Sequence, residues 1–200
     1  MVSEPEVNAV RAAPNRRAQI LRAAAELFAE RGFHGVTIEE LGRAVGTSGP
    51  ALYRHFPGKD ALLAAMLLEV SERLEADGRA RVHAAAGPAA ALDALLRGHV
   101  AFALGEPALI TVHDRELGNV REPDRREVRR LQRAYAEQWV GVLARLRPGL
   151  PPDVVRAAVH SAFGLLNSTP HSAGSLPAAD MGALLFRMGR AALLAPFPGE

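Results

Sequence analysis

TIEELGRAVGTSGPALYRHFPGKDALL, Thr37 to Leu63, is the stretch that decides the fold. Thr37 followed three residues later by Glu40 is a capping box, in which hydroxyl and carboxylate satisfy free amides at a helix start. Ile38, Leu41 and Val45 then recur at helical spacing, and Gly46 stops the helix. A further helix opens at Thr47 or Ser48, either of which can cap it, and is expected to run to about His55. Pro50 is tolerated in its first turn, where amides have no partner anyway. Pro57-Gly58 breaks the chain again. Two short amphipathic helices joined by a glycine-containing turn form the helix-turn-helix pattern. In that motif the first helix braces against the nucleic-acid backbone and the second lies in the major groove.

Upstream, Ile20, Ala24, Leu27 and Phe28 form one face of a helix over Arg16–Arg31, which Gly32 ends. Downstream, Gly/Pro breakers separate further helical patterns over Asp60–Ala85, Ala89–Leu104, Pro107–Leu117, Asp124–Leu146, Asp153–Asn167 and Ala178–Leu194. No alternating run suggests a strand, so the fold class is all-α. The organisation expected is a disordered tail over 1–14, a helix-turn-helix DNA-binding domain over 15–60 and a helical ligand-binding and dimerisation domain over 61–200.

The 200 residues are 48% hydrophobic and 23% charged, with no cysteine. This composition suits a globular chain, excludes disulfides and thiolate metal sites, and fits a reducing cytoplasm. No run approaches the roughly 18 apolar residues of a membrane span, and the N-terminus lacks the apolar core of a signal peptide. A cytoplasmic protein without membrane contact is expected. Net charge is only +2. Between Arg11 and Lys59, however, basic residues outnumber acids, the footprint of a DNA-binding head.

The segment Arg16–Leu63 resembles the TetR family of bacterial transcriptional regulators. The resemblance rests on the first helix ending in E-R-G-F, on T-I-E-E-L-G with Gly46 at the turn, and on L-Y-R-H-F, P-G-K and an apolar fourth helix. The R-E-L-G-N-V and F-G-L-L-N-S-T-P-H-S segments are similar to a subgroup associated with lipid and acyl-CoA metabolism. The resemblance implies a homodimer that binds an inverted-repeat operator in double-stranded DNA and releases it when a small-molecule effector binds. It also implies that the last two long helices pair with those of a second copy, through small residues such as Ala158, Ala162, Gly164, Ala183, Gly189 and Ala192.

Within the head, Thr37 offers an amide and hydroxyl at a helix start, suited either to a phosphate or to capping alone. The family pattern favours backbone contacts for Tyr53 and His55. Lys59 either meets a phosphate as a flexible point charge or is a solvated surface lysine. Thr47, Ser48, Gly49 and Pro50 open the recognition helix. Where many relatives carry a basic residue near Gly49, this sequence has Gly49-Pro50-Ala51, which offers only apolar contact. Ser48 and Arg54 are therefore the polar candidates, and Arg54 is open between a guanine and a phosphate. Gly42 is expected to let the two short helices approach closely.

In the C-terminal half, Phe102, Trp139 and Phe163 are candidates to line an apolar chamber, with His113, Arg115 and Glu116 as polar groups. A structural reading, plain core and a surface stripe, stands beside that one. The arginine run from Arg121 to Arg133 is either a solvated, ion-paired helix start or an entrance for an acidic ligand such as a CoA thioester. The seven histidines show no metal-ligand spacing, and no nucleophile, glycine-rich phosphate loop or acid–base cluster marks an enzyme. No cofactor is expected. A multidrug-type sensor, a helical-bundle enzyme and a protein-interaction module are the alternative readings.

Overall fold

The computed structural model describes residues 16–172, 174 and 176–196. The tail expected over 1–14 lies outside them. The described residues form ten α-helices: α1 (Arg16–Arg31), α2 (Ile38–Ala44), α3 (Gly49–Leu52), α4 (Lys59–Ala84), α5 (Pro88–Gly105), α6 (Pro107–Glu116), α7 (Asp124–Leu146), α8 (Pro152–Leu166), α9 (Thr169–Ser172) and α10 (Ala178–Leu194). A 3-10 turn over Leu117–Asn119 follows α6. The expected long helices agree with these to within a residue or two. Two corrections apply. The recognition helix is a single helical turn rather than a helix to His55; beyond it the chain continues in turns, with His55 N–H on the Leu52 carbonyl. The stretch after Asn167, read as a breaker, carries the short α9.

Apolar residues divide into two cores. The first gathers Ile20, Phe28, Phe33, Leu41, Leu52 and Phe56 with the first turns of α4, Leu62, Leu63 and Leu67. It also takes in Val112 of α6 and Val120 and Val128 beyond it. The second is built by α5, α7, α8 and α10 around Trp139, Leu95, Leu96, Leu143 and Val159. α4 is long enough to serve both: the division expected at residue 60 falls in its first turn, and the next turns still belong to the head core. α5 and α6 meet at 85° around Gly105, where Pro107 starts a new helix. Because of that bend, α6 leaves the helical bundle and lies against α1. No single helix among the described residues is long and apolar enough to cross a membrane.

Candidate DNA-binding head and ligand cavity

The capping box forms at the start of α2. Thr37 Oγ1 accepts from the Glu40 N–H at 3.2 Å and donates to Glu40 Oε2 at 3.0 Å, while the Thr37 N–H donates to Glu40 Oε2 at 2.8 Å. Arg31 Nη1 reaches Glu40 Oε1 at 2.7 Å and ties α1 to α2. The bonds from Thr37, and then the one from Arg31, hold the Glu40 carboxyl down at about 2. Gly46 at φ +65° turns the chain between α2 and α3. Gly42 makes the close approach possible, because a Cβ there would sit 2.8 Å from the Thr47 carbonyl oxygen. Ser48 caps α3, accepting from the Ala51 N–H at 3.3 Å. Beyond the cap, Pro50, Tyr53, Arg54 and His55 are exposed, Tyr53 by 54% despite its large ring.

Between α4, α5, α6, α7 and α8 lies a cavity of ≈ 560 Å³. Leu74, Phe102, Ile110 and Phe163 give it apolar walls, and Arg129, Arg133, Arg156 and His160 also line it. At its inner wall a buried polar chain runs from Asn167 Oδ1 to His99 Nε2 (2.9 Å) and from His99 Nδ1 to the Tyr135 hydroxyl (3.3 Å). Burial pushes the His99 pKa down to about 4, so its ring is neutral at pH 7. With Nε2–H donating to Asn167, Nδ1 accepts from Tyr135. His113, on α6, also lines the cavity; its Nδ1 faces Asp114 at 3.1 Å and its buried Nε2 has no partner among the described residues. The same helix then leads to the head: Glu116, buried, accepts the Phe33 N–H at 3.1 Å, and His34 Nε2 meets Asn119 Oδ1 at 3.2 Å.

The model of the bacterial regulatory proteins of the tetR family matches residues 20–66, the helix-turn-helix and its supports. The tetracyclin repressor-like C-terminal domain matches residues 85–189, which holds most of the cavity. The chain belongs to the TetR family. Among curated relatives it is similar to the HTH-type transcriptional repressor Rv1474c of Mycobacterium tuberculosis, 44% identical over 61 residues, 30% of this chain and 33% of that one. The chain thus matches about a third of that relative's length. A TetR-family regulator from Bordetella parapertussis shares the fold with a TM-score of 0.80 at 23% identity, over 92% of this chain and 97% of that one. FadR from Bacillus subtilis, solved in complex with stearoyl-CoA, shares it with a TM-score of 0.70 at 18% identity, over 90% and 99%.

Placed in the TetR fold, the residues singled out from sequence fall into three groups. Ser48, Pro50, Tyr53, Arg54 and His55 share the exposed end of the helix-turn-helix, and Thr47 is half-buried beside them, its N–H on the Gly42 carbonyl at 2.8 Å. Arg43, in the last turn of α2, is exposed near them. It lies outside the capping pattern and was not among the candidates. Gly49 is buried against α2, where a Cβ would meet Ile38 at 3.5 Å, so it presents no surface to a base. Two further candidates in the head have partners within the chain. Both donors of Thr37 are taken by Glu40. Lys59 is not a freely swinging charge: its ammonium donates to the Phe33 and Val36 carbonyls at 2.7 and 2.8 Å and lies 4.4 Å from the Phe33 ring centroid.

Phe102, Phe163 and His113 line the cavity, and three other candidates do not. Trp139 is fully buried behind Phe163, their rings 5.1 Å apart, and belongs to the second core. Arg115 is exposed and points to the head, within 3.4 Å of the Ala29 carbonyl. Glu116 is spent on Phe33 and on Asn119, whose Nδ2 donates to it at 2.6 Å. His99 and Asn167 are the polar groups that sequence did not single out. Their signal is the spacing of Leu92, Leu95, Leu96 and His99, which puts a histidine on the buried face of an apolar helix, where it requires polar partners. On the last two long helices the small residues also split. Ala162 and Gly189 are buried within the subunit, Gly189 against Leu96 and Leu166, whereas Gly164, Ala183 and Ala192 are exposed.

Proposed function

We propose that this chain is a ligand-responsive repressor that binds an inverted-repeat operator as a homodimer and leaves it when a lipophilic molecule, such as an acyl-CoA, enters the cavity. The observation that carries this reading is the double duty of α6. Leu109, Ile110 and His113 line the cavity, and three residues further on Glu116 grips the loop before α2. A molecule that moves α6 therefore moves the helix-turn-helix, and a ligand with different affinity for the two positions shifts their populations. The exposed set Ser48, Pro50, Tyr53, Arg54 and His55, with the exposed Arg43 of α2, supplies hydroxyl, aromatic and guanidinium groups suited to phosphates and base edges. The complex of FadR with stearoyl-CoA supports the choice of effector class.

The direct test selects bound duplexes from a random pool and then titrates the complex with acyl-CoAs. Release of a selected inverted repeat is the expected result. Release by neutral aromatic drugs and not by acyl-CoAs overturns the effector class in favour of a multidrug-type sensor. Failure to select any duplex overturns the regulator reading.

A further inference from the structure

Six arginines cluster between Arg121 and Arg133 at the start of α7, and four of them have carboxylate partners. Arg121 bonds Asp60 at 2.7 Å, Arg125 and Arg126 share Glu122 at 3.1 and 3.0 Å, and Arg130 holds Glu127 at 2.7 Å. The remaining two, Arg129 and Arg133, have no carboxylate within reach among the described residues, and they are the two of the six that line the cavity. Both are exposed. The two carboxylates that line the same cavity have their own partners on its wall, Asp114 facing His113 and Glu137 bound to Arg156. The arginine run is thus an ion-paired stripe wherever it faces away from the cavity, and two guanidiniums without a carboxylate partner among the described residues where it borders it.

We infer that the effector is a phosphate-bearing amphiphile whose head sits on Arg129 and Arg133 while its apolar chain lies among Leu74, Phe102, Ile110 and Phe163. This rests on the reading of the cavity as the effector site. Residues four apart on a helix stand side by side, so two guanidiniums, each able to bind bidentately, meet one head. A single carboxylate occupies one fork and leaves the other uncompensated, whereas a phosphate ester or diphosphate has oxygens for both. The orientation follows from the inner wall. His99 there is uncharged and already hydrogen-bonded on both nitrogens, so it offers neither a charge nor a free donor to an anion. Asn167, with its oxygen on His99, keeps its amide Nδ2 as a donor for an uncharged acceptor such as a carbonyl.

The test titrates the full-length chain by fluorescence of Trp139, its only tryptophan, which packs on the cavity-lining Phe163. The probes share one chain length: decanoyl-CoA, decyl phosphate, decanoate and methyl decanoate. Each is run on the wild type and on the double variant Arg129→Gln/Arg133→Gln. The wild type is expected to bind at least one phosphate-bearing probe tenfold or more tighter than decanoate and the methyl ester. Which one it favours separates a coenzyme thioester from a simple phosphate ester. The double variant is expected to lose that advantage and bind the methyl ester unchanged. Equal binding of methyl ester and phosphate probes by the wild type, or a preference that survives in the double variant, overturns the inference and leaves the cavity as an effector site. No response to any of the four, in protein that still binds selected DNA, overturns both the inference and the lipid reading of the cavity.

Discussion

The Phe33 N–H donates to Glu116 Oε1 at 3.1 Å, a bond that spans 83 positions of sequence and joins the last turn of α6 to the loop before α2. Asn119 Nδ2 holds the other carboxylate oxygen at 2.6 Å. Removing the carboxylate leaves a buried N–H without a partner, at a cost of ~1–3 kcal/mol. Glu116→Ala is expected to lower stability by that amount. It should also blunt DNA release by effector more than it weakens effector binding, because the link between cavity and head is what it removes. Glu116→Gln, which keeps an acceptor, should be milder on both. Equal loss of effector affinity and of release would show that Glu116 acts through the cavity instead.

Lys59 grips the same loop, its ammonium on the Phe33 and Val36 carbonyls. A latch and a phosphate contact are told apart by salt. A lysine that neutralises a phosphate contributes about one unit to the slope of log affinity against log salt. Lys59→Met is expected to destabilise the head by ~1–3 kcal/mol, since two part-buried carbonyls lose their donor, and to leave that slope unchanged. A slope reduced by about one, with stability unchanged, would restore the phosphate role.

Gly46 sits at φ +65° with open space around it, so its requirement is conformational and not steric. Gly46→Ala is expected to cost ~1 kcal/mol, because the left-handed region disfavours a Cβ. Gly46→Asn should cost less, since asparagine tolerates that region. Thermal unfolding of the three proteins checks the order; an alanine variant as stable as the wild type would contradict it.

What was legible in the sequence was local. Thr37, Glu40, Gly42 and Gly46 declare the helix-turn-helix through bonds made within ten residues, and the bounds of α7 and α10 follow from periodicity and flanking prolines. The candidates that moved are those whose partners are distant. Helical spacing puts His113, Arg115 and Glu116 on one short helix, but only the 85° bend before α6 decides which of them meets the cavity and which meets α1. Trp139 and Phe163 lie on different helices, and nothing in their spacing says that Phe163 stands in front. The four-residue α9 is too short to show a period.

His99 makes the fold acid-sensitive. Burial pushes its folded pKa from 6.5 down to about 4, so the unfolded chain takes up a proton at a pH where the native state refuses it. The native state therefore has its full advantage above pH 6.5 and loses it as pH falls toward 4, by roughly 3 kcal/mol in all. Denaturant unfolding midpoints should decline across that window in the wild type. His99→Gln, which cannot titrate, is expected to be less stable at pH 7 but flatter between pH 6.5 and 4. Parallel declines in both proteins would place the acid sensitivity on other groups.

Gly164 tests the dimer. It is exposed on α8, one turn from Ser161 and two from Ala157, which are also exposed, and a Cβ there meets nothing within 4 Å among the described residues of the subunit. A substitution at this position therefore leaves the fold of one subunit intact and acts only on what packs against it. Met188 of α10, 47% exposed, adds apolar area to the outside of the same helical pair. With a second copy on this face, Gly164→Glu buries a charge in the interface, which is unfavourable without a partner. The variant is expected to sediment as a monomer at micromolar concentration with the helical content and melting of a folded chain. It should bind an inverted repeat more weakly by tenfold or more, because the second half-site contact is no longer linked to the first. A variant that remains dimeric with full operator affinity would put the subunit interface on another face.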